Sequence, residues 1–175
     1  MREILKGISE KAILLGDFKF TDEQVNTKWL GYPAADSTQI KETEARLGVE
    51  LPEDYMEFLK ITNGFPQYNQ IVSSFMPVEK IDFLKVYDPF LIEIWQKHDE
   101  LKDVAKGLEA SILIGGLNEE QCSLLIPPNA NSGKWGYWKF ASWHPGEVPY
   151  NSLKEYLMSE LEFMNEEVGN SGTNK

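Results

Sequence analysis

The chain has 175 residues, enough for one ordinary hydrophobic core and too few for two full domains. Hydrophobic residues make up 42% of it and no run of about 18 apolar residues occurs, which excludes a disordered chain and a membrane-spanning helix. The balance of 17 basic against 28 acidic residues, a net charge of -11, argues against general nucleic-acid binding and suits a basic partner, although it also serves plain solubility.

The opening stretch, MREILKGISEKAILL, lacks a long apolar run and a small-residue cleavage site, so it reads as a first helix and not as a secretion signal. Ile4, Leu5, Ile8, Ala12 and Leu15 form its apolar stripe and Gly16 ends it. Phe18 and Phe20 suggest a short extended piece, and TDEQVNTKW a short helix begun at Thr21. Trp29, Tyr32 and Pro33 read as an anchoring loop. One cysteine, Cys122, permits no internal disulfide, and a cytoplasmic location is expected.

The firmest local pattern is STQIKETEARLGVELPEDYMEFLKITNG, residues 37–64. Ser37 reads as an N-cap, Ile40, Glu44 and Leu47 share a face, and Gly48 suits a left-handed helix end. Pro52 fits the first position of a second helix, where its missing N–H costs nothing. Glu53 and Asp54 follow in the first turn, Tyr55, Phe58, Leu59 and Thr62 mark the buried side, and Asn63 and Gly64 stop it.

Residues 65–89 read as an irregular loop with Ile71, Val72 and Phe75 as strand candidates. Helical spacing returns after Pro89 through Leu91, Ile94, Trp95, His98 and Leu101, and either continues or restarts through Leu108. Three apolar runs then change the period: residues 111–116, residues 122–128, and WGYWKFASW at 135–143. The turns between them, at 117–121 and 129–133, predict an antiparallel meander. Residues 144–149 read as a loop. A last helix, capped by Asn151 or Ser152, carries Leu153, Leu157, Leu161 and Met164. A single α+β domain over 1–165 follows, its central sheet mixed or largely antiparallel, with the helices covering one face. Residues 166–175 read as a flexible tail.

No constellation for chemistry stands out. There is no glycine pattern for phosphates, and His98 and His144 fall in no metal-ligand spacing. Cys122 begins an apolar strand, the setting of a small hydrophobe and not of a nucleophile. Acidic pairs such as Glu119–Glu120 arise readily in so acidic a chain. The aromatic set Trp135, Tyr137, Trp138, Phe140, Trp143 and Tyr150 lies within sixteen residues and serves either the core or an exposed binding surface.

The motif from Trp29, Gly31, Pro33 and Ala34 through Ile40, Glu44, Leu47, Gly48, Leu51, Pro52, Tyr55, Phe58, Leu59, Asn63 and Gly64 resembles the SMI1/KNR4 family of the SUKH superfamily. The pieces Ile112–Gly116, Leu124–Pro128, Trp135–Trp138, Ala141–Trp143 and Ser152–Leu157 follow in the family's order. The resemblance covers roughly residues 25–165. It implies an α+β fold, no cofactor and no enzymatic activity. It also implies a compact bacterial type similar to immunity proteins, which bind a cognate toxin, often a nuclease. Neutralisation by steric and electrostatic blocking is the expected mechanism. The alternatives are a regulatory or scaffold protein with an endogenous partner, or a small-molecule-binding domain.

The expected partner is therefore a cognate toxin or other basic protein, with no nucleic acid and no membrane, and homo-oligomerisation is left open. Glu119 and Glu120 in one loop, Trp143, His144 and Glu147 in another, and Trp29 and Tyr32 beside them are the candidate contacts. Leu51, Pro52, Tyr55, Phe58, Asn63 and Gly64 match the family pattern and read as architectural.

Overall fold

The computed structural model describes residues 1–128, 133–141 and 143–172. Most of the turn read at 129–133, Ser142 of the aromatic run, and residues 173–175 of the expected tail lie outside the described residues.

Helix α1 (Arg2–Leu15) buries Leu5, Ile8 and Ala12 and ends at Gly16 in the left-handed conformation. Helix α2 (Asp22–Thr27) is closed by a capping box between Thr21 and Gln24. The Phe18–Phe20 segment before it forms no strand. Helix α3 (Ser37–Leu47) begins one residue earlier than expected, because Asp36 and not Ser37 is the cap: its carboxylate accepts the N–H groups of Thr38 and Gln39, and Gln39 bonds back. A charged acceptor next to a glutamine completes a reciprocal box that Ser37, with Ile40 three residues on, does not offer. The corner after α3 is held by Glu44, whose carboxylate accepts the Leu51 N–H at 2.9 Å.

Helix α4 (Glu53–Leu59) starts after Pro52, which occupies the cap in an extended conformation and not the first helical position. Leu51, Tyr55 and Phe58 lie in the core. Asn63 ties two segments together: its carbonyl accepts the Val78 N–H at 2.7 Å and its amide donates to Glu79 at 3.0 Å. Gly64 has φ +89°, and a Cβ there would sit 2.7 Å from the Phe75 carbonyl oxygen, so only glycine fits. Of the strand candidates in the next loop, only Phe75 pairs, through isolated bridges to Phe65 and Gly115. Ile71 is exposed and Val72 is buried in a turn made by Asn69.

A two-residue strand β1 (Asp82–Phe83) leads into α5 (Leu84–Tyr87) and α6 (Pro89–Gln96). The helical pattern then breaks at Lys97 and His98 before α7 (Lys102–Ala110), leaving His98 exposed with no side-chain cap. Strands β2 (Ile112–Gly115), β3 (Gln121–Ile126), β4 (Gly136–Ala141) and β5 (Glu147–Tyr150) follow. The sheet has the order β1-β2-β3-β4-β5 and every strand pair among the described residues is antiparallel, so the expected meander extends into a sheet that is antiparallel and not mixed. Part of the expected 144–149 loop is β5. It tolerates Pro149 because an edge strand can spare a donor.

Helices cover both faces of the sheet, not one. Gln121, Ser123 and Leu125 pair with Ala141, Lys139 and Tyr137, and this face meets the last helix, α8 (Leu153–Gly172), where Tyr137 stacks on Tyr156 at 4.7 Å. The opposite face, with Trp138 and Phe140, meets α6 and α7: Trp95 packs edge-on against Phe140 at 5.0 Å. Gly107 of α7 gives the Trp138 ring its place, since a Cβ there would lie 2.2 Å from the indole. Two-sided cover is why β4 can be aromatic on both faces. Helix α8 starts where Ser152 accepts the Glu155 N–H, buries Leu153, Tyr156, Leu157, Glu160 and Met164, and remains helical past Asn165 to Gly172. The apolar stripe fades before the backbone does. Helix α1 lies along it, with Gly7 against Leu161.

Phe58 is fully buried between the Tyr55 and Phe75 rings. Phe58→Ala is expected to cost about 3–5 kcal/mol, the usual range for a truncated core phenylalanine, measured as a shift in the urea midpoint at unchanged slope.

Candidate functional site

The turn between β2 and β3 is built by two residues of positive φ, Gly116 at 79° and Asn118 at 62°. It carries Glu119 and Glu120 to an exposed tip. Glu119 reaches across to the loop after α4, where its carboxylate accepts the Ser74 backbone N–H at 3.0 Å and the Ser74 hydroxyl. That loop is shaped from within by Asn69, whose side-chain carbonyl accepts the Ile71 and Val72 N–H groups. Between the two loops lies a groove of about 300 Å³. Gln67, Gln70, Ile71 and Ser73 form one wall, Glu119 and Glu120 the other, Gln121 the floor, and the half-exposed Trp143 ring closes it. Among the described residues its lining holds two carboxylates and no basic side chain.

The interior behind the floor is polar. Gln121 is 1% exposed, and neither atom of its amide has a hydrogen-bond partner. Its amide sits close enough to the Tyr156 hydroxyl to pull that phenol slightly down against its burial, although the pair falls short of good hydrogen-bond geometry. Tyr137 donates to the Ser123 hydroxyl at 2.9 Å, and Ser123 in turn is 3.3 Å from the Ser73 hydroxyl on the groove wall. Burial holds the Tyr68, Tyr137 and Tyr156 phenols well above their ordinary range, with the Glu160 charge adding to it. Glu160 pairs with Lys139 at 3.6 Å. Burial pushes its carboxyl up despite the opposing pull of that lysine.

The family model described as the SMI1 / KNR4 family (SUKH-1) matches residues 34–159. The chain belongs to the SMI1/KNR4 family. No curated protein matches it. Both walls, the floor and Trp143 fall inside the part of the chain that carries the SMI1/KNR4 match, whereas α1 and α2 lie before it.

The structure brings Glu119, Glu120 and Trp143 of this SMI1/KNR4 protein into one groove. The other candidate contacts do not line it. His144 is exposed, with its backbone N–H donating to Ala141. Glu147 is half-buried on β5, opposite Phe140. Trp29 is half-buried, edge-on to Phe65 at 6.1 Å and beneath the Arg2 guanidinium at 5.6 Å. Tyr32 is exposed and its N–H is held by the Thr62 hydroxyl at 2.8 Å. The aromatic run is divided: Tyr137 and Phe140 are in the core, Trp138 packs on α7, and Trp143 is the exposed member. Sequence reasoning missed Gln67, Gln70, Ser73 and Gln121. Gln121 was within reach, because a polar residue in register with Ser123 and Leu125 sits on a buried face.

A larger acidic groove of about 570 Å³ beside α4 is less available. Its Asp54 carboxylate accepts the Lys154 N–H, and Glu57 pairs with the N-terminal amine at 3.3 Å. Nor does Cys122 offer a nucleophile. Burial pushes its thiol up to about 11, helped by the Asp88 and Glu119 carboxylates, and a protonated thiol attacks poorly. Among the described residues no group of three or more His, Cys, Asp or Glu could hold a metal ion.

Two outcomes follow. Cys122 should react with iodoacetamide at pH 8 at least tenfold more slowly in the native protein than in urea, because its thiolate fraction falls by roughly that factor per unit of pKa. The raised pKa of Glu160 means that its carboxyl contributes stability while protonated. That contribution is whole below the ordinary value of about 4.3 and is lost as pH rises through the folded value. Glu160→Gln should therefore flatten the dependence of urea stability on pH above that ordinary value. An unchanged profile would show that Lys139 compensates the buried charge completely.

Proposed function

We propose that the protein is a non-enzymatic protein-binding module that acts as an immunity protein, neutralising a cognate toxin by covering its basic working surface. Membership of the SMI1/KNR4 family supports a binding role of this kind. The observation that carries the reading is the groove itself, where two exposed carboxylates and an exposed indole share one rim on a chain of net charge -11. An exposed indole is a common interface anchor, and the carboxylates beside it complement a basic partner. A nuclease toxin fits this chemistry, because the surface that holds nucleic acid must be basic. The mechanism is occlusion: charge steers the encounter, the groove fixes the register, and no bond is broken.

Affinity capture of the tagged protein from its native cells at low salt tests the role. The expected result is one basic toxin domain in near-equal amount whose toxicity is suppressed on co-expression. Recovery of endogenous signalling or envelope proteins alone would replace immunity by regulation. With the captured domain in hand, the association rate should fall at least tenfold between roughly 20 and 300 mM salt, while dissociation changes little. An association rate indifferent to salt would remove the electrostatic part of the mechanism.

A further inference from the structure

We propose that the groove between the Ser74 loop and the β2–β3 turn is a receptor for one arginine side chain of the protein partner. The inference rests on the protein-binding reading above and makes it specific.

Four features select a guanidinium. Glu119 and Glu120 stand on the same wall, and Glu119 is held in place by its two bonds from Ser74. Each carboxylate oxygen has two acceptor positions, so Glu119 can hold Ser74 and still accept from a ligand. Glu120 is exposed and has no ion-pair partner among the described residues. Trp143 presents about half of its surface at the mouth, where a planar cation can stack on the indole. Gln121 forms the floor, almost wholly buried, and its amide makes no well-formed hydrogen bond even though the Tyr156 hydroxyl is near. A buried amide left alone is costly, and a donor-rich ligand that reached it would satisfy its oxygen.

Arginine answers all four at once, with a flat face for Trp143, a fork of donors for the carboxylates and a further N–H for Gln121. Its aliphatic stem can lie along the exposed Ile71 side chain. Lysine, a compact point charge, has no flat face to stack and no fork to share between two carboxylates. The volume of about 300 Å³ suits one long side chain better than a folded peptide segment.

The test is an NMR titration of the intact, isotopically labelled protein with acetyl-arginine methylamide, set against the lysine analogue and the neutral isostere acetyl-citrulline methylamide. Arginine is expected to give saturable shifts of the Trp143 indole N–H and the Gln121 side-chain amide, with citrulline and lysine at least tenfold weaker. Glu120→Gln and Trp143→Ala alter exposed side chains and should each weaken arginine binding, by roughly threefold to tenfold. Equal binding of citrulline or lysine, shifts centred elsewhere, or no saturable shift would overturn the proposal. The two readings fail separately. A captured toxin whose affinity ignores both substitutions sinks the arginine site and leaves immunity standing. Saturable arginine binding without a captured toxin leaves the site and removes the immunity role.

Discussion

The architecture depends on β4 being buried from both sides. Tyr137 and Trp138 are neighbours in the chain and point in opposite directions, one onto Tyr156 of α8, the other onto Gly107 of α7. An antiparallel sheet with one wet face needs only one layer of helices, but a strand written G-Y-W-K-F-A has no wet face to offer. The long excursion through α5, α6 and α7 supplies the second layer. The connection from β1 to β2 therefore carries three helices although the two strands are adjacent in the sheet. Gly107 is the narrowest point of that arrangement, because the helix backbone and the indole meet there with nothing between them.

The face toward α8 is built on a different principle. Tyr68, Tyr137 and Tyr156 bury large rings and keep their hydroxyls among Ser73, Ser123, Gln121 and Glu160. The rings contribute apolar area as phenylalanine would, while the hydroxyls make the region a poor place to be dry. Several of those polar atoms have no protein partner. One of them, the Gln121 amide, belongs to the groove floor, so unsatisfied polar groups of the interior adjoin the Glu119, Glu120 and Trp143 rim. This adjacency sets the groove apart from the larger acidic hollow beside α4, where Asp54 and Glu57 are already engaged by the Lys154 N–H and the N-terminal amine.

Much of this order was legible in the chain. The helix–corner–helix from α3 to α4, the three strands of the meander and the last helix all follow from periodicity and from turn residues at the right places. The errors share one cause, which is that local patterns do not report tertiary pairing. Asp36 outcompeted Ser37 as a cap because Gln39 could answer it. β5 was hidden by Pro149 and by the glycine before it, and it forms only because β4 presents an edge. β1 is two residues long and has no period to detect. At the groove, the exposed tips Glu119, Glu120 and Trp143 were readable from loop chemistry. The opposing wall was not, because Gln67, Gln70 and Ser73 come from a segment fifty residues away, brought there by the Phe65–Phe75–Gly115 bridges.

The sheet's two margins have a consequence for how this protein meets others. β1 spans two residues, and β5 spans four with Pro149 lacking an N–H. Neither margin offers a run of free donors and acceptors long enough to template another chain. Recognition by extending the sheet, the route that also leads to fibrils, is thus closed by construction. Such margins disfavour self-templated assembly and leave recognition to side chains. Loops can be rewritten one residue at a time while the double-sided packing of β4 stays untouched, so binding preference can drift freely over a fixed frame.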